Sequence, residues 1–83
     1  MKKITIYSTA TCAYCKMLKS YLQSKDITYV EKHVDQDPAL AQELVDKSHQ
    51  MGVPFTLVEE DGQEPVAILG FDKPRVDQVL GLA

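Results

Sequence analysis

The fold class that the sequence predicts is α/β, with elements in the order β-α-β-α-β-β-α. Strand-like segments rich in β-branched and aromatic residues recur along the chain, and segments with helical spacing stand between the first three of them. The Asp61-Gly62 pair favours a tight hairpin between the last two strand-like segments. Because a helix joins the first two strands, we expect them to be parallel, and we expect the last two to be antiparallel.

The first half of the chain predicts two strands, each followed by a helix. Residues 3–8 (KITIYS) are typical of a strand near the centre of a sheet, and residues 27–34 (ITYVEKHV) predict the second strand. Between them the period changes to that of an amphipathic helix from about Cys12 to Ser24. The apolar positions of this helix are Tyr14, Met17, Leu18, Tyr21 and Leu22.

Cap and turn residues place the remaining elements. Asp37 followed by Pro38 predicts the start of a helix that ends near Ser48. The core positions expected on that helix are Leu40, Ala41, Leu44 and Val45. Residues 53–59 (VPFTLVE) and 65–69 (PVAIL) predict the third and fourth strands. A short closing helix is expected after Asp72-Lys73-Pro74, with Val76, Val79 and Leu80 on its apolar face.

Size and charge restrict the classes of function. With 83 residues and 45% hydrophobic content, we expect one small domain spanning residues 1–83. The net charge is −3, whereas nucleic acid or an anionic membrane would require a basic patch, so we expect neither partner. The chain opens directly on the strand-like KKITIYS, so we expect no secretion signal and a reducing, cytoplasmic setting.

Cys12 and Cys15 are the only cysteines, and they lie at the junction of the first strand and the first helix. Positions three apart on one helical face are close enough for a disulfide. At a helix start, unpaired N–H groups and the helix dipole favour a thiolate, so we expect the pKa of Cys12 to lie below that of a free thiol. Cys15 should be less exposed, which assigns Cys12 as nucleophile and Cys15 as resolving thiol.

Three other interpretations of the cysteine pair compete with a redox couple. A zinc site requires four ligands, and His33 and His49 stand far from the cysteines at no recognisable ligand spacing. An iron–sulfur cluster or metal ion carried by two chains through Cys12 is the alternative function. Two unrelated buried cysteines are the third interpretation. The position of the pair at a strand–helix junction favours the redox couple, and we therefore expect no metal ligand in the chain.

The segments that carry these features resemble those of a known family. ITIYSTATCAYCKMLKSYL, the Val53-Pro54 pair and LGFDK at residues 69–73 together resemble glutaredoxins of the thioredoxin fold, especially the small bacterial glutaredoxin-like proteins that include NrdH-type redoxins. The resemblance implies a four-stranded mixed sheet flanked by three helices. It also implies a disulfide oxidoreductase and electron carrier.

The resemblance further implies a substrate or glutathione groove around the cysteines, to which Thr11 belongs. It implies a cis Val53-Pro54 bond beside Cys12, with the backbone of Val53 offered to an extended substrate. The alternative is a trans proline that starts an edge strand. Tyr14 would line the groove, although its spacing also suits a core position.

The turn of Gly70, Phe71 and Asp72 matches the family segment that binds the γ-glutamyl end of glutathione, whereas Asp72 is equally suited to cap the last helix. Four positions depart from the pattern of glutathione-using members: Thr9, Ala13, Leu69 and Lys73. We therefore expect protein disulfides as substrates and a flavoprotein disulfide reductase as electron donor, with glutathione as a candidate co-substrate. No tightly bound cofactor and a monomeric chain are expected.

Overall fold

The computed structural model describes residues 2–82, and its elements follow the predicted order. The strands are β1 (Lys2–Ser8), β2 (Val30–His33), β3 (Phe55–Glu60) and β4 (Val66–Leu69); the helices are α1 (Ala13–Ser24), α2 (Pro38–Ser48) and α3 (Lys73–Leu80). Asp37 and Asp72 cap α2 and α3 as predicted. Their carboxylates accept the backbone N–H groups of Ala39 at 2.9 Å and Arg75 at 3.3 Å.

The four strands form one mixed sheet in the order β2-β1-β3-β4, so β1 is central, as its composition predicts. Strand β1 runs parallel to β2 and antiparallel to β3, and β4 is antiparallel to β3. Both expected strand directions are confirmed. The segment that contains Cys12 and Cys15 directly follows β1, so it starts from a central strand of the sheet.

Each face of the sheet has its own apolar core. On one face, α1 and α3 cover a cluster of seven buried residues: Ile4, Ile6, Leu18, Leu22, Val58, Ile68 and Val76. On the other face, Leu44 of α2 packs with Tyr7, Phe55 and Leu57. Successive residues of β1 alternate between these faces because side chains along a strand point to opposite sides.

The structure corrects the apolar face predicted for α1. The buried residues are Cys15, Leu18 and Leu22, whereas Tyr14 and Met17 are 64% and 50% exposed. Residues 15, 18 and 22 form the single line that faces the sheet, and the other two positions lie to one side of that line. On α2 only Leu44 is fully buried, and Leu40, Ala41 and Val45 are half-buried.

The second, third and fourth strands begin later than predicted, at Val30, Phe55 and Val66, and the predicted tight hairpin is a longer connection. The N–H of Ile27 donates to the carbonyl of Leu22 at 3.0 Å, so residues 27–29 complete the end of α1 and pair with no strand. Between β3 and β4, Asp61 and Gly62 do form a turn, closed by the N–H of Gln63 on the carbonyl of Glu60 at 3.0 Å. The chain then continues through residues 63–65 before β4 begins.

Candidate active site

Cys12 occupies the N-cap position of α1 and is joined to Cys15 by a disulfide. The backbone of Cys12 is extended (φ −83°, ψ 110°), and its Sγ accepts the N–H of Cys15 at 3.1 Å. The two Cα atoms are 5.2 Å apart. The predicted intramolecular pairing is therefore compatible with the local backbone, and Cys12 lies where the free N–H groups of a helix point.

The two sulfur-bearing residues differ in exposure as the sequence predicts. Cys15 is fully buried, at 0% exposure, beneath the first turn of α1, whereas Cys12 is half-buried. An incoming molecule can therefore approach Cys12 from solvent, whereas Cys15 presents no exposed surface to it.

A short turn delivers Cys12 to the helix. The N–H of Cys12 donates to the carbonyl of Thr9 at 3.3 Å, and the carbonyl of Cys12 accepts the N–H of Lys16 at 3.2 Å. Thr11 is exposed within this turn, and Lys16 is exposed on the first turn of the helix. The first turn of α1 contains no acidic residue, so no carboxylate there opposes a negative charge on Cys12.

The proline loop has the geometry that the resemblance implies. The Val53-Pro54 peptide bond is cis, which removes the alternative of a trans proline. Pro54 is fully buried, and half-buried Val53 packs against the α2-side core. The carbonyl of Pro54 accepts the N–H of Gly70 at 2.8 Å and so ties this loop to the segment after β4.

The residues of the segment Gly70–Asp72, which is a candidate for binding glutathione, also have structural roles. Gly70 has φ +76°, a conformation that L-residues rarely adopt, so glycine suits this turn. Phe71 packs on the core, and its ring centroid lies 6.1 Å from that of Tyr21. Asp72 caps α3 and is exposed. Both proposed roles of Asp72 remain compatible with this placement.

Sheet topology brings the predicted site segments to one edge. Tyr7, next to the end of β1, pairs with Phe55 at the start of β3, and Phe55 pairs with Leu69 at the end of β4. The turn at 9–12, the Val53-Pro54 loop and the Gly70–Asp72 segment leave the sheet from these neighbouring points. Leu69 is 59% exposed there.

Two polar features at this edge of the sheet were missed from sequence. The carboxylate of Glu31 binds Lys19 of α1 at 2.5 Å and the hydroxyl of buried Ser8 at 2.7 Å, and His33 lies 3.3 Å from it. Burial raises the pKa of Glu31, but the hydrogen bonds from Lys19 and Ser8 outweigh it and leave the pKa below its usual range. The second feature is Asp35, whose carboxylate accepts the N–H of Ala10. Strand alternation could have placed Glu31 and Ser8 on one face, but no local signal pairs them.

The described part of the chain lacks both a metal-binding cluster and a membrane-spanning helix. Residues 2–82 contain no group of three or more His, Cys, Asp or Glu side chains arranged to hold a metal ion. Within the same residues, none of the helices has the length and apolar character that crossing a bilayer requires.

The site consists of a cysteine pair at the start of a helix that follows the central strand, with a cis-proline loop at the same edge of the sheet. This arrangement defines the class of thiol–disulfide oxidoreductases with a thioredoxin-like fold. A variant of the thioredoxin-like protein BC3987 superimposes with a TM-score of 0.82 over 100% of both chains, at 26% identity.

Sequence comparisons give the family within that class. The glutaredoxin family profile matches residues 4–62. A glutaredoxin-like 8.6 kDa protein from the rubredoxin operon of Clostridium pasteurianum is 40% identical over 93% of this chain and 96% of its own length. The glutaredoxin-like protein NrdH of Lactococcus lactis is 37% identical over 59% of this chain and 62% of its own. The chain belongs to the glutaredoxin family, whose members are thiol–disulfide oxidoreductases and electron carriers.

Proposed function

We propose that this protein reduces protein disulfides by a dithiol mechanism in which Cys12 is the nucleophile and Cys15 the resolving thiol. The observation that carries the proposal is the asymmetry of the pair. Cys12 is half-buried at the cap of α1, where its sulfur accepts the N–H of Cys15, and Cys15 is fully buried one turn further along the helix.

The reaction proceeds in two thiol–disulfide exchanges. The Cys12 thiolate attacks one sulfur of the substrate disulfide; that S–S bond breaks, and the departing thiolate takes up a proton. Cys15 then loses its proton and attacks the Sγ of Cys12, which releases the second substrate sulfur as a thiolate. Two electrons pass to the substrate. The protein is left with the Cys12–Cys15 disulfide, which is the state that the structure shows.

Substrate contacts are proposed for residues of the segments that leave the sheet at the same edge as Cys12. Tyr14, exposed two residues after Cys12, would offer an aromatic surface, and Val53 would offer its backbone to an extended peptide segment. Thr11 and Pro54 complete this group. Gly70, Phe71 and Asp72 form the second proposed contact segment, which would receive the γ-glutamyl end of glutathione if glutathione binds.

We infer that a flavoprotein disulfide reductase is the preferred electron donor. The carboxylate of Asp72 already accepts the N–H of Arg75 as a helix cap. Lys73, which departs from the pattern of glutathione-using members, is bound to Asp77 at 2.9 Å. Leu69 exposes an apolar side chain at the same edge. These features favour contact with a protein surface over binding of a small zwitterion.

Trapping tests the assignment of roles. The Cys15→Ser variant should accumulate mixed disulfides with substrate proteins through Cys12, because the resolving thiol is absent. The Cys12→Ser variant should trap none, because Cys15 is buried. Mass spectrometry of the adducts, released by reductant, identifies the substrates. Equal trapping by both variants would contradict the proposed roles.

Donor preference needs a separate measurement. The oxidised protein should be reduced faster by NADPH with a thioredoxin-reductase-type flavoenzyme than by glutathione with glutathione reductase, at matched concentrations of protein. Efficient turnover with glutathione would overturn the donor assignment and leave the dithiol mechanism standing.

A further inference from the structure

The turn that delivers Cys12 is held from outside by the connection between β2 and α2. The N–H of Ala10 donates to Oδ2 of Asp35 at 3.2 Å, across 25 positions of sequence. One residue earlier in the same connection, the N–H of Val34 donates to the carbonyl of Ser8 at 3.0 Å. These two bonds extend the contact between β1 and β2 beyond the end of the strands and into the turn at residues 9–12, here called the redox turn.

Asp35 is itself presented by a well-defined turn. The N–H of Gln36 donates to the carbonyl of His33 at 3.2 Å, which closes a turn over residues 33–36. This turn is fixed on one side by β2 and on the other by α2, which Asp37 caps. A carboxylate held in this way can fix a partner segment, because little conformational freedom remains to be lost when the bond forms.

The redox turn depends on such an external contact. Ala10 has no polar side chain, and within residues 9–12 the turn is closed by the bond between the N–H of Cys12 and the carbonyl of Thr9 at 3.3 Å. The cap position of Cys12, with its Sγ on the N–H of Cys15, requires the extended backbone that this turn provides. Loosening the turn at Ala10 would reduce the time that Cys12 spends in the cap.

We propose that Asp35 is a positioning residue for the redox pair, which holds the 9–12 turn through the N–H of Ala10 and so keeps Cys12 at the N-cap of α1. This inference rests on the proposed function only in taking Cys12 as the nucleophile. Asp35 itself does not touch the reacting sulfur; it acts through the backbone.

The carboxylate of Asp35 has two effects of opposite sign on Cys12. The hydrogen bond keeps Cys12 where the helix stabilises a thiolate, whereas the negative charge of Asp35 disfavours one. Charged or titratable side chains also stand on the elements that meet at this edge: Tyr14, Lys16 and Lys19 of α1, Glu31, Lys32 and His33 of β2, Asp37 and Glu43 at α2, and Asp72 and Lys73 at α3. A substitution that removes only the charge therefore separates the two effects.

Asp35→Asn and Asp35→Ala form the matched pair for the test. Asparagine keeps an acceptor oxygen of similar reach and removes the charge; alanine removes both. The readout is the rate at which Cys12 is alkylated by iodoacetamide between pH 4 and 9, in a Cys15→Ser background. At pH 7 we expect the alanine variant to react about fivefold more slowly than the asparagine variant, the factor expected from one net hydrogen bond. The asparagine variant should react at least as fast as the parent.

Asp61, exposed in the turn at the opposite end of β3, supplies the control pair Asp61→Asn and Asp61→Ala, which should alkylate at the rate of the parent. Circular dichroism and the thermal midpoint establish that all variants are folded. Equal alkylation rates for Asp35→Asn and Asp35→Ala in folded protein would overturn the proposal. Failure of the proposed function has a different signature: the parent Cys12 would alkylate no faster than an unstructured cysteine peptide, whatever the Asp35 variants do.

Discussion

Helices α1 and α2 both follow a strand of the sheet and both begin with a capping side chain, but the two caps differ in kind. At α2 the carboxylate of Asp37 accepts the N–H of Ala39 at 2.9 Å, and Pro38 occupies the first turn. At α1 the capping atom is the sulfur of Cys12, 3.1 Å from the N–H of Cys15. Aspartate is among the preferred N-caps and cysteine is not. The cap of α2 stabilises the fold, and the cap position of α1 holds the reactive sulfur instead.

Both helices are secured elsewhere by a cluster of one tyrosine, one carboxylate and one lysine. The α2 cluster consists of Tyr7, Glu43 and Lys32, and the α1 cluster consists of Tyr21, Asp77 and Lys73. Burial raises the pKa of Tyr7 well above its usual range, which keeps this hydroxyl a hydrogen-bond donor. The α1 cluster lies in the second half of its helix, against α3. The fold thus anchors the second half of α1 through this cluster, whereas the turn that precedes Cys12 is held by the bond between the N–H of Ala10 and Asp35.

Exchanging the cap of α1 for that of α2 would test this comparison most strongly. Cys12→Asp should abolish oxidoreductase activity, because no nucleophilic sulfur remains. Under reducing conditions it should also raise the free energy of unfolding by about 1 kcal/mol relative to Cys12→Ala, because aspartate caps a helix and alanine does not. Urea denaturation of the two variants gives this difference. Equal stabilities would show that residue 12 does not act as a cap.

Removing the cap of α2 should have a smaller effect, chiefly on stability. Asp37→Ala should lower the free energy of unfolding by about 1 kcal/mol through loss of the bond to the N–H of Ala39. The alkylation rate of Cys12 should fall less than in Asp35→Ala, because the N–H that Asp37 binds belongs to Ala39 of α2 and not to the turn at residues 9–12. Asp37→Asn is the matched control, because asparagine caps about as well as aspartate. A fall in Cys12 reactivity without loss of stability would contradict the conclusion that the cap of α2 serves stability and the cap position of α1 serves reactivity.

The smallest expected effect concerns the α1 cluster at acid pH. Hydrogen bonds from Tyr21 and then Lys73 hold the pKa of Asp77 below its ordinary value of 3.8. The ionised carboxylate therefore stabilises the folded state above about pH 4, and this contribution is lost as the pH falls through the lowered pKa. Asp77→Asn should make stability less dependent on pH below 4, measured by urea denaturation at several pH values. Exposed Asp61→Asn serves as control, and identical acid profiles for the two variants would refute the role of Asp77.

Local signals in the sequence predicted those features that depend on near neighbours. The alternation of KITIYS, the caps Asp37 and Asp72, and the spacing of Cys12 and Cys15 each describe contacts within a few residues, and the structure confirms them. The apolar face of α1 was misassigned at Tyr14 and Met17 because helical spacing alone does not say which line of residues meets the sheet. The end of α1 was missed because Ile27, although β-branched, donates its N–H to Leu22.

By itself, the order of residues determined the element sequence and the placement of two thiols at a helix start, since propensity, periodicity and capping act over short distances. The resemblance added the cis state of Val53-Pro54, which the structure confirms. Only the tertiary structure decided which segments meet at the redox edge of the sheet, that Cys15 is wholly buried, and that Asp35 binds the N–H of Ala10. These facts depend on strand order and register, which bring residues far apart in sequence within hydrogen-bond distance.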